Sequence, residues 1–467
     1  MFYKLKSDYM LRGWKLLPTG VINRETRQFK FLSGKKFGIL KMCNGLLDSE
    51  SLFFDDEQRK IMEELRAEGY VEANDKPSTL EDVQEYKFYD NRFIRSAHWS
   101  ITGKCNCRCR HCYMSAPQHK VEEFTHEQCM DIIAQLADCG VQEVDLSGGE
   151  PLVRKDFWEI VDALTDADIK IGKIYSNGLL INEKFLSELE KRNLRPSFQI
   201  SFDGLGGRHD WLRGIDGAER LALRAIKLLR EKNLSVICAF DSHRGNIDVL
   251  RETVKTLGNL GVEFLRAAII SADGEALGMS DKILSIDEFY NALIDYIPQY
   301  IEDGAPLPTN LAGLFMGINK TEYIIPMAKA PEGVNIDKLC ICNHVRNSIH
   351  IDFDGFVMPC PPMSFNDAGK KHFSRIFDKP LKELLNEEAY MNFIGTQLAD
   401  YFKANPQCAA CEYKNRCFGG CRGHAMATNG DGDLLGVDKA TCLFFKGGYY
   451  DRVLELGEKL NLKHVGA

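Results

Sequence analysis

The 467-residue sequence predicts an α/β protein whose central part is a barrel of parallel strands. Three observations carry this. From Phe93 onward, short runs of strand character alternate with amphipathic helical patterns, and repeated β–α units imply a parallel sheet. Polar stretches recur just after the strands, namely Gly148-Gly149-Glu150, Ser176-Asn177-Gly178 and Ser201-Phe202-Asp203-Gly204, which places one functional rim at the carboxyl ends of the strands. Both ends of the chain then depart from the pattern. Residues 1–76 read as a small β-rich module, and eight of the 16 cysteines fall between 340 and 442.

Composition sets the outer limits. An apolar fraction of 44% and a charged fraction of 27% are those of a soluble globular protein with two or three domains. No long uncharged apolar run and no signal-peptide h-region appear, so a cytoplasmic protein without a membrane span is expected. A net charge of −8 argues against nucleic acid as the main partner. Sixteen cysteines in a reducing compartment point to metal binding before disulfides. Cys43, Cys129, Cys139 and Cys238 stand singly and are assigned to the core.

In chain order, Tyr9-Met10-Leu11, Thr19-Gly20-Val21-Ile22 and Gln28-Phe29-Lys30-Phe31-Leu32 are short strands divided by polar turns. Ser33 precedes a helix whose apolar positions include Phe37, Ile39, Leu40 and Leu46. Asp55 opens a second helix that buries Ile61, Met62 and Leu65 and stops at Gly69, and Tyr70-Val71-Glu72 returns as a strand. Residues 1–46 carry ten basic and two acidic groups, a field suited to an acidic peptide or a phosphate backbone. The polar stretch with Lys76-Pro77-Ser78 reads as a linker.

His98-Trp99-Ser100-Ile101 is the first barrel strand and leads into a cysteine-rich loop. Thr125 with Gln128 forms a capping box for the helix that buries Ile132, Ile133 and Leu136. Glu143-Val144-Asp145-Leu146 is the next strand, and Phe157, Ile160, Val161 and Leu164 mark the following helix. Lys173-Ile174-Tyr175, Phe198-Gln199-Ile200, Ser235-Val236-Ile237-Cys238-Ala239 and Glu263-Phe264-Leu265 continue the series of strands.

The loop after the first strand holds Cys105, Cys109 and Cys112 in C-x3-C-x2-C spacing. Three thiolates can take three corners of a [4Fe–4S] cube and leave the fourth iron open; a zinc knuckle is the competing use of such thiols. With Thr102-Gly103-Lys104 before it and Leu146-Ser147-Gly148-Gly149-Glu150-Pro151 after it, the loop resembles that of the radical S-adenosylmethionine (SAM) superfamily. His111 occupies the position before the third cysteine that is usually aromatic, and Cys107 lies off the spacing. The resemblance implies a partial (β/α)6 TIM barrel and a SAM-binding cluster. It also implies SAM contacts from Gly148, Gly149, Glu150, Ser176, Asn177, Ser201 and Asp203. Arg213 is a further candidate for binding a carboxylate.

At the other end, Cys342, Gly355-x4-Cys360, Cys408-x2-Cys411-x5-Cys417-x3-Cys421 and Cys442 resemble the seven-cysteine SPASM domain. That likeness implies two auxiliary [4Fe–4S] clusters, so three in all. Cys342, Cys360 and Cys421 would serve auxiliary cluster I, and Cys408, Cys411, Cys417 and Cys442 auxiliary cluster II. Cys340 is a candidate fourth ligand of the first. Cys340-Ile341-Cys342 is a tight pair for one cube, and one of the two thiols can instead stay free. Asp354-Gly355 marks a hairpin turn. Some SPASM enzymes place an acid directly after the cysteine matching Cys360; here Pro361 follows, which speaks against the sulfatase-maturase reaction.

The N-terminal order of strands and a helical pair resembles the PqqD-like element that binds leader peptides; a winged helix of structural or DNA-binding use has the same pattern. The expected domains are thus 1–76 (winged-helix-like, leader recognition), 77–92 (linker), 93–310 (barrel), 311–339 (bridge), 340–445 (SPASM) and 446–467 (helix and tail). Together the resemblances imply an enzyme that modifies a ribosomally made precursor peptide through a 5′-deoxyadenosyl radical. Its partners would be that peptide, with its leader, and an external one-electron donor such as a flavodoxin or ferredoxin. The alternatives are a sulfatase-maturase-like oxidase of another substrate, or an iron–sulfur or zinc DNA-binding regulator.

Overall fold

In the computed structural model the described residues are 1–51, 54–116, 122–326, 330, 332–342, 344–364, 367–429 and 433–465. The N-terminal module is built from β1 (Phe2–Leu5), β2 (Tyr9–Trp14), β3 (Leu17–Asn23), β4 (Phe29–Phe31), α1 (Gly34–Met42), β5 (Asn44–Asp48), α2 (Asp56–Ala67) and β6 (Val71–Asn74). Asp55 and Gln58 close a capping box on α2, which satisfies two otherwise orphaned backbone donors. Tyr3, Leu5, Phe37, Leu40, Met62, Leu65 and Val71 bury against one another as a core separate from the barrel's.

Two expectations for this region are corrected. The helical pattern does not extend to Leu46. The α1 helix stops at Met42, Gly45 turns the chain at φ +78°, and β5 pairs antiparallel with β1, leaving Leu46 52% exposed. Nor is 77–92 a plain linker. Its β7 (Lys87–Tyr89) pairs in parallel with β2 and completes the sheet β4–β3–β2–β7. A strand whose partner lies some seventy residues upstream leaves no local periodicity to recognise.

The barrel alternates β8 (Ser96–Ser100), α3 (His126–Asp138), β9 (Glu143–Ser147), α4 (Phe157–Asp166), β10 (Lys170–Ser176), α5 (Glu183–Lys191), β11 (Ser197–Ser201), α6 (Arg208–Arg213), α7 (Ala218–Glu231), β12 (Val236–Ser242), α8 (Leu250–Asn259), β13 (Phe264–Ile269) and α9 (Ile286–Glu302). All neighbouring pairs from β8 to β13 are parallel, so the six β/α units stand as expected. The bridge carries strands of its own. After β14 (Thr309–Leu311), parallel to β13, come β15 (Phe315–Gly317) and β16 (Glu322–Ile324), which fold back antiparallel. At the other edge β17 (Ser348–Ile351) pairs in parallel with β8 and turns through Gly355 into β18 (Val357–Met358). The C-terminal cysteine region therefore shares one twelve-stranded sheet with the barrel, and β19 (Lys463–His464) ends that sheet beside β16.

The N-terminal module sits against the end of the barrel opposite the cysteine loop. Cys139, in the α3–β9 turn, accepts from Trp14 Nε1 at 3.4 Å and from Asn91 Nδ2 at 3.0 Å. Asp168, in the α4–β10 turn, accepts from Arg27 at 2.8 Å and lies 3.9 Å from Arg12. These turns precede the strands, whereas the cysteine loop follows β8. Many bases of the first 46 residues are also neutralised locally. Arg24 pairs with Glu81, Lys35 with Glu57 and Lys36 with Glu68, and residues 1–92 hold sixteen groups of each sign. The expected positive field therefore largely cancels. Among the described residues no helix is long and apolar enough to cross a membrane.

Candidate active site

The cysteine loop is held from below by two glycines. Gly149 N donates to Thr102 O at 2.8 Å and Glu150 N to Lys104 O at 2.9 Å. A Cβ on Gly148 would stand 2.3 Å from Thr102 O, and one on Gly149 2.3 Å from Lys104 O. The close approach that calls for glycine here is thus to the turn entering the loop. Glu150 is fully buried, and its carboxyl accepts from Ser176 Oγ at 3.0 Å, Asn177 N at 2.8 Å and Leu152 N at 3.2 Å. Burial pushes it up to about 7, against the pull of those three bonds. Asn177 then reaches the loop through Asn106, donating to its Oδ1 at 2.7 Å.

Opposite stands a buried ion pair. Asp203 accepts from Arg213 Nε at 2.7 Å and from Asp241 N at 3.1 Å, with His209 Nδ1 at 3.0 Å. Against the cost of burial, Arg213 and then His209 hold the Asp203 carboxyl well below the usual carboxylate range. Arg213 Nη1 points at Cys109 Sγ, 3.8 Å away, and His111 Nε2 lies 3.2 Å from Asp241 Oδ2. Ser201 is half-buried at the end of β11, and among the described residues its hydroxyl joins none of these bonds. His111, Asp241, His209 and Asn106 are members that motif reasoning missed. Asp241 follows the same signal as the others, a polar residue at a strand end.

The loop thiols act on one another electrostatically. Cys112, pushed up to about 11 by burial, feels both Cys109 and Cys105. Hydrogen bonding from Cys107, with Arg213 and His111 nearby, pulls Cys109 down to about 5 despite burial. Backbone N–H groups also point at sulfur, Cys107 N to Cys105 and Ala116 N to Cys112, both at 3.4 Å. Arg213 Nη2 and His111 Nδ1 are buried without a hydrogen-bond partner among the described residues. Three thiols with N–H groups at their sulfurs, beside two buried nitrogens that have no hydrogen-bond partner among the described residues, fit a cluster that carries an amino-acid ligand.

Below the loop the barrel interior is polar. Ala97, Trp99, Val144, Leu146 and Ile174 pack outward against the helices. The alternate positions turn inward. There His98 bonds Ser147 at 2.6 Å and lies with its ring 4.8 Å from Tyr175 and 5.2 Å from His350. Burial pushes Asp145 on the same face up to about 6, partly offset by Lys173.

The C-terminal cysteines fall into two groups. Cys360 feels Cys421 and Cys342, and Cys421 in turn feels Cys342. Cys417, pushed up to about 12 by burial, feels Cys408 and Cys442, and Cys442 feels Cys408 and Cys411. Phe418, Gly419 and Gly420 are consecutive left-handed residues that wind the chain from Cys417 to Cys421; a Cβ on Gly420 would meet Asp438 at 2.5 Å. Asp438 accepts from Cys421 N at 2.9 Å and caps the helix Lys439–Lys446, which carries Cys442. One carboxylate therefore ties the two groups together. Among the described residues no three His, Cys, Asp or Glu side chains converge as they would on a single ion.

Residues 99–263 match the radical SAM superfamily, and residues 340–412 match SPASM, an iron-sulfur cluster-binding domain. The chain is 30% identical over 217 residues to the sporulation killing factor maturation protein SkfB of Bacillus subtilis, covering 46% of this chain and 52% of that protein, about half its length. It is 24% identical over 359 residues to an AdoMet-dependent heme synthase of Nitratidesulfovibrio vulgaris, covering 76% and 92% of the two chains. In fold it is similar to Streptococcus suis SuiB bound to precursor peptide SuiA, with a TM-score of 0.64 at 16% identity, covering 94% of this chain and 99% of that one. With the cysteine loop, the glycine-supported rim and the second cysteine region all in place, residues 99–263 form a radical SAM domain and residues 340–412 match a SPASM domain.

Proposed function

We propose that this enzyme modifies a ribosomally made precursor peptide. Cys105, Cys109 and Cys112 would hold the SAM-binding cluster, with Arg213 and the Gly148–Glu150 rim orienting SAM. When bound and reduced, that cluster with SAM supplies a 5′-deoxyadenosyl radical that removes a hydrogen atom from the substrate. Asp203 acts as a positioning residue. It fixes Arg213 in one rotamer and keeps it charged, since a buried guanidinium without a counter-ion is costly. Cys342, Cys360 and Cys421 would hold auxiliary cluster I, and Cys408, Cys411, Cys417 and Cys442 auxiliary cluster II, three clusters in all.

One observation supports a peptide over a small molecule. The likeness to SuiB, whose structure holds a precursor peptide, covers 94% of the chain, and the N-terminal module is docked on the barrel by buried contacts. SkfB is likewise named as a maturation protein. Such a module can take up a leader segment as an added strand, where main-chain bonds give affinity. The test is anaerobic incubation of the reconstituted enzyme with SAM, a reductant and any short peptide encoded beside its gene. A product lacking two hydrogens, formed with 5′-deoxyadenosine, supports an oxidative cross-link. No reaction on any neighbouring peptide would count against this reading and favour a small-molecule reaction such as that named for the AdoMet-dependent heme synthase.

A further inference from the structure

The cysteine loop has an outer face. Arg108 and Arg110, which flank Cys109, are exposed, while Cys107 is buried and the His111 side chain turns inward to Asp241. On that outer face lies an open cavity of about 690 Å³, and Cys109 forms part of its wall. The other walls come from Trp211 on α6 and from Glu275, Asp281 and Lys282 in the segment after β13. The Trp211 ring is 37% exposed and lies 4.9 Å beneath the Arg110 guanidinium, whose Nε donates to Trp211 O at 2.9 Å. Leu277 beside it is 68% exposed. Among the described residues the Arg108 side chain makes no ion pair.

We infer that this face receives the external one-electron donor, a small acidic flavin- or iron–sulfur-carrying protein, and that Arg108, Lys282 and Trp211 are its contacts. The inference rests on residues 105–112 being a reducible cluster loop. An electron has to reach that loop from outside, and the inner side is taken up by the Arg213–Asp203 network and the substrate space of the barrel. The outer cavity brings solvent, and thus a partner's surface, to the cysteine loop at Arg108, Cys109 and Arg110. Its composition suits a brief encounter. An exposed tryptophan and arginines are enriched at such contacts, redox encounters bury little area, and cations speed the approach of an acidic partner. Three cations against two carboxylates line the cavity, so the steering is modest and short in reach. The step balances as a single transfer. The donor, for example a flavodoxin hydroquinone, gives up one electron and becomes the semiquinone, and the cluster held by the loop gains that electron.

Two reductants separate docking from chemistry. Dithionite is small and needs no docking surface; flavodoxin does. We expect Arg108→Glu/Lys282→Glu to lower 5′-deoxyadenosine formation driven by sub-saturating flavodoxin hydroquinone about tenfold. It should weaken flavodoxin binding in a titration by a similar factor and leave dithionite-driven cleavage nearly unchanged. The neutral pair Arg108→Gln/Lys282→Gln should fall between, and Trp211→Ala should act in the same direction. Equal flavodoxin affinity in wild type and the charge-reversed protein overturns the inference. So does a dithionite-driven rate that falls as far as the flavodoxin-driven one, because the residues then serve the loop rather than the donor. Absence of dithionite-driven cleavage in the wild type would instead overturn the cluster assignment itself.

Discussion

Arg346 donates from Nη1 to the thiol of Cys340 at 3.2 Å, while Cys342, two residues on, acts electrostatically on both Cys360 and Cys421. We propose that the tight Cys340-Ile341-Cys342 pair is divided, with Cys342 serving auxiliary cluster I and Cys340 standing apart. The backbone of Cys340 bridges to Gln397, and its sulfur accepts from the Arg346 guanidinium. Cys340→Ala should keep about twelve irons per chain after reconstitution, and Cys342→Ala should lose up to about four. Iron analysis with Mössbauer spectroscopy reads both. If the Cys340 variant loses the iron and the Cys342 variant keeps it, the two thiols have been assigned the wrong way round.

The buried pair of Asp203 with Arg213 yields a second expectation. In Asp203→Asn the guanidinium keeps a hydrogen-bond partner but loses its counter-charge, so Arg213 is held less firmly beside Cys109. SAM affinity should fall about tenfold, or roughly 1.4 kcal/mol, with iron content unchanged. Equilibrium binding to the reconstituted protein measures it. Unaltered SAM affinity would mean that the carboxylate site lies elsewhere on the rim.

Asp145 gives a pH dependence with a defined sign. Burial raises its folded-state value from 3.8 to about 6. Between those values the folded chain holds a proton that the unfolded chain releases, so stability falls as pH rises through the window and levels off above it. The full effect is about 3 kcal/mol. Asp145→Asn should flatten the slope between pH 5 and pH 6 relative to wild type, as followed by anaerobic denaturant unfolding. Parallel curves for the two proteins would show that water reaches this carboxylate freely.

The most legible parts of the chain were those in which a spacing fixes chemistry. The three cysteines of the loop stand out by their spacing and the Asp354-Gly355 hairpin by its turn residues, whereas the division of the C-terminal cysteines into two groups came only from the resemblance to the SPASM domain. Long-range pairing was hidden. Nothing near Lys87–Tyr89 shows that β2 waits for it, and nothing near Ser348–Ile351 shows that β8 extends the barrel sheet to that strand. The charge of the N-terminal module misled for the same reason. Its balancing acids, Glu57, Glu68, Glu81 and Asp168, come from later in the chain, and one belongs to the barrel.

Those contacts determine how the N-terminal module should be tested. A cut after residue 76 would strand β7, whose Tyr89 stacks on Trp14 at 5.5 Å, so the deletion should run through residue 90. Because the module docks at the end of the barrel opposite the cysteine loop, its removal should leave SAM cleavage largely intact. Precursor binding and modification should fall together, since tethering raises the local concentration of the core peptide without touching the reacting residue. Asp168→Ala is the gentler variant. It leaves the Arg12 and Arg27 guanidiniums, 3% and 7% exposed, without their shared carboxylate, and should cost about 1–3 kcal/mol of docking. Faster proteolysis at the module boundary would reveal that loss. With equal numbers of each charge in residues 1–92, precursor affinity should change little between low and moderate salt. A steep loss with salt would point to an acidic leader steered by the module's lysines. Full precursor affinity in the truncated enzyme, with its iron retained, would remove the leader-binding role and leave recognition to the barrel.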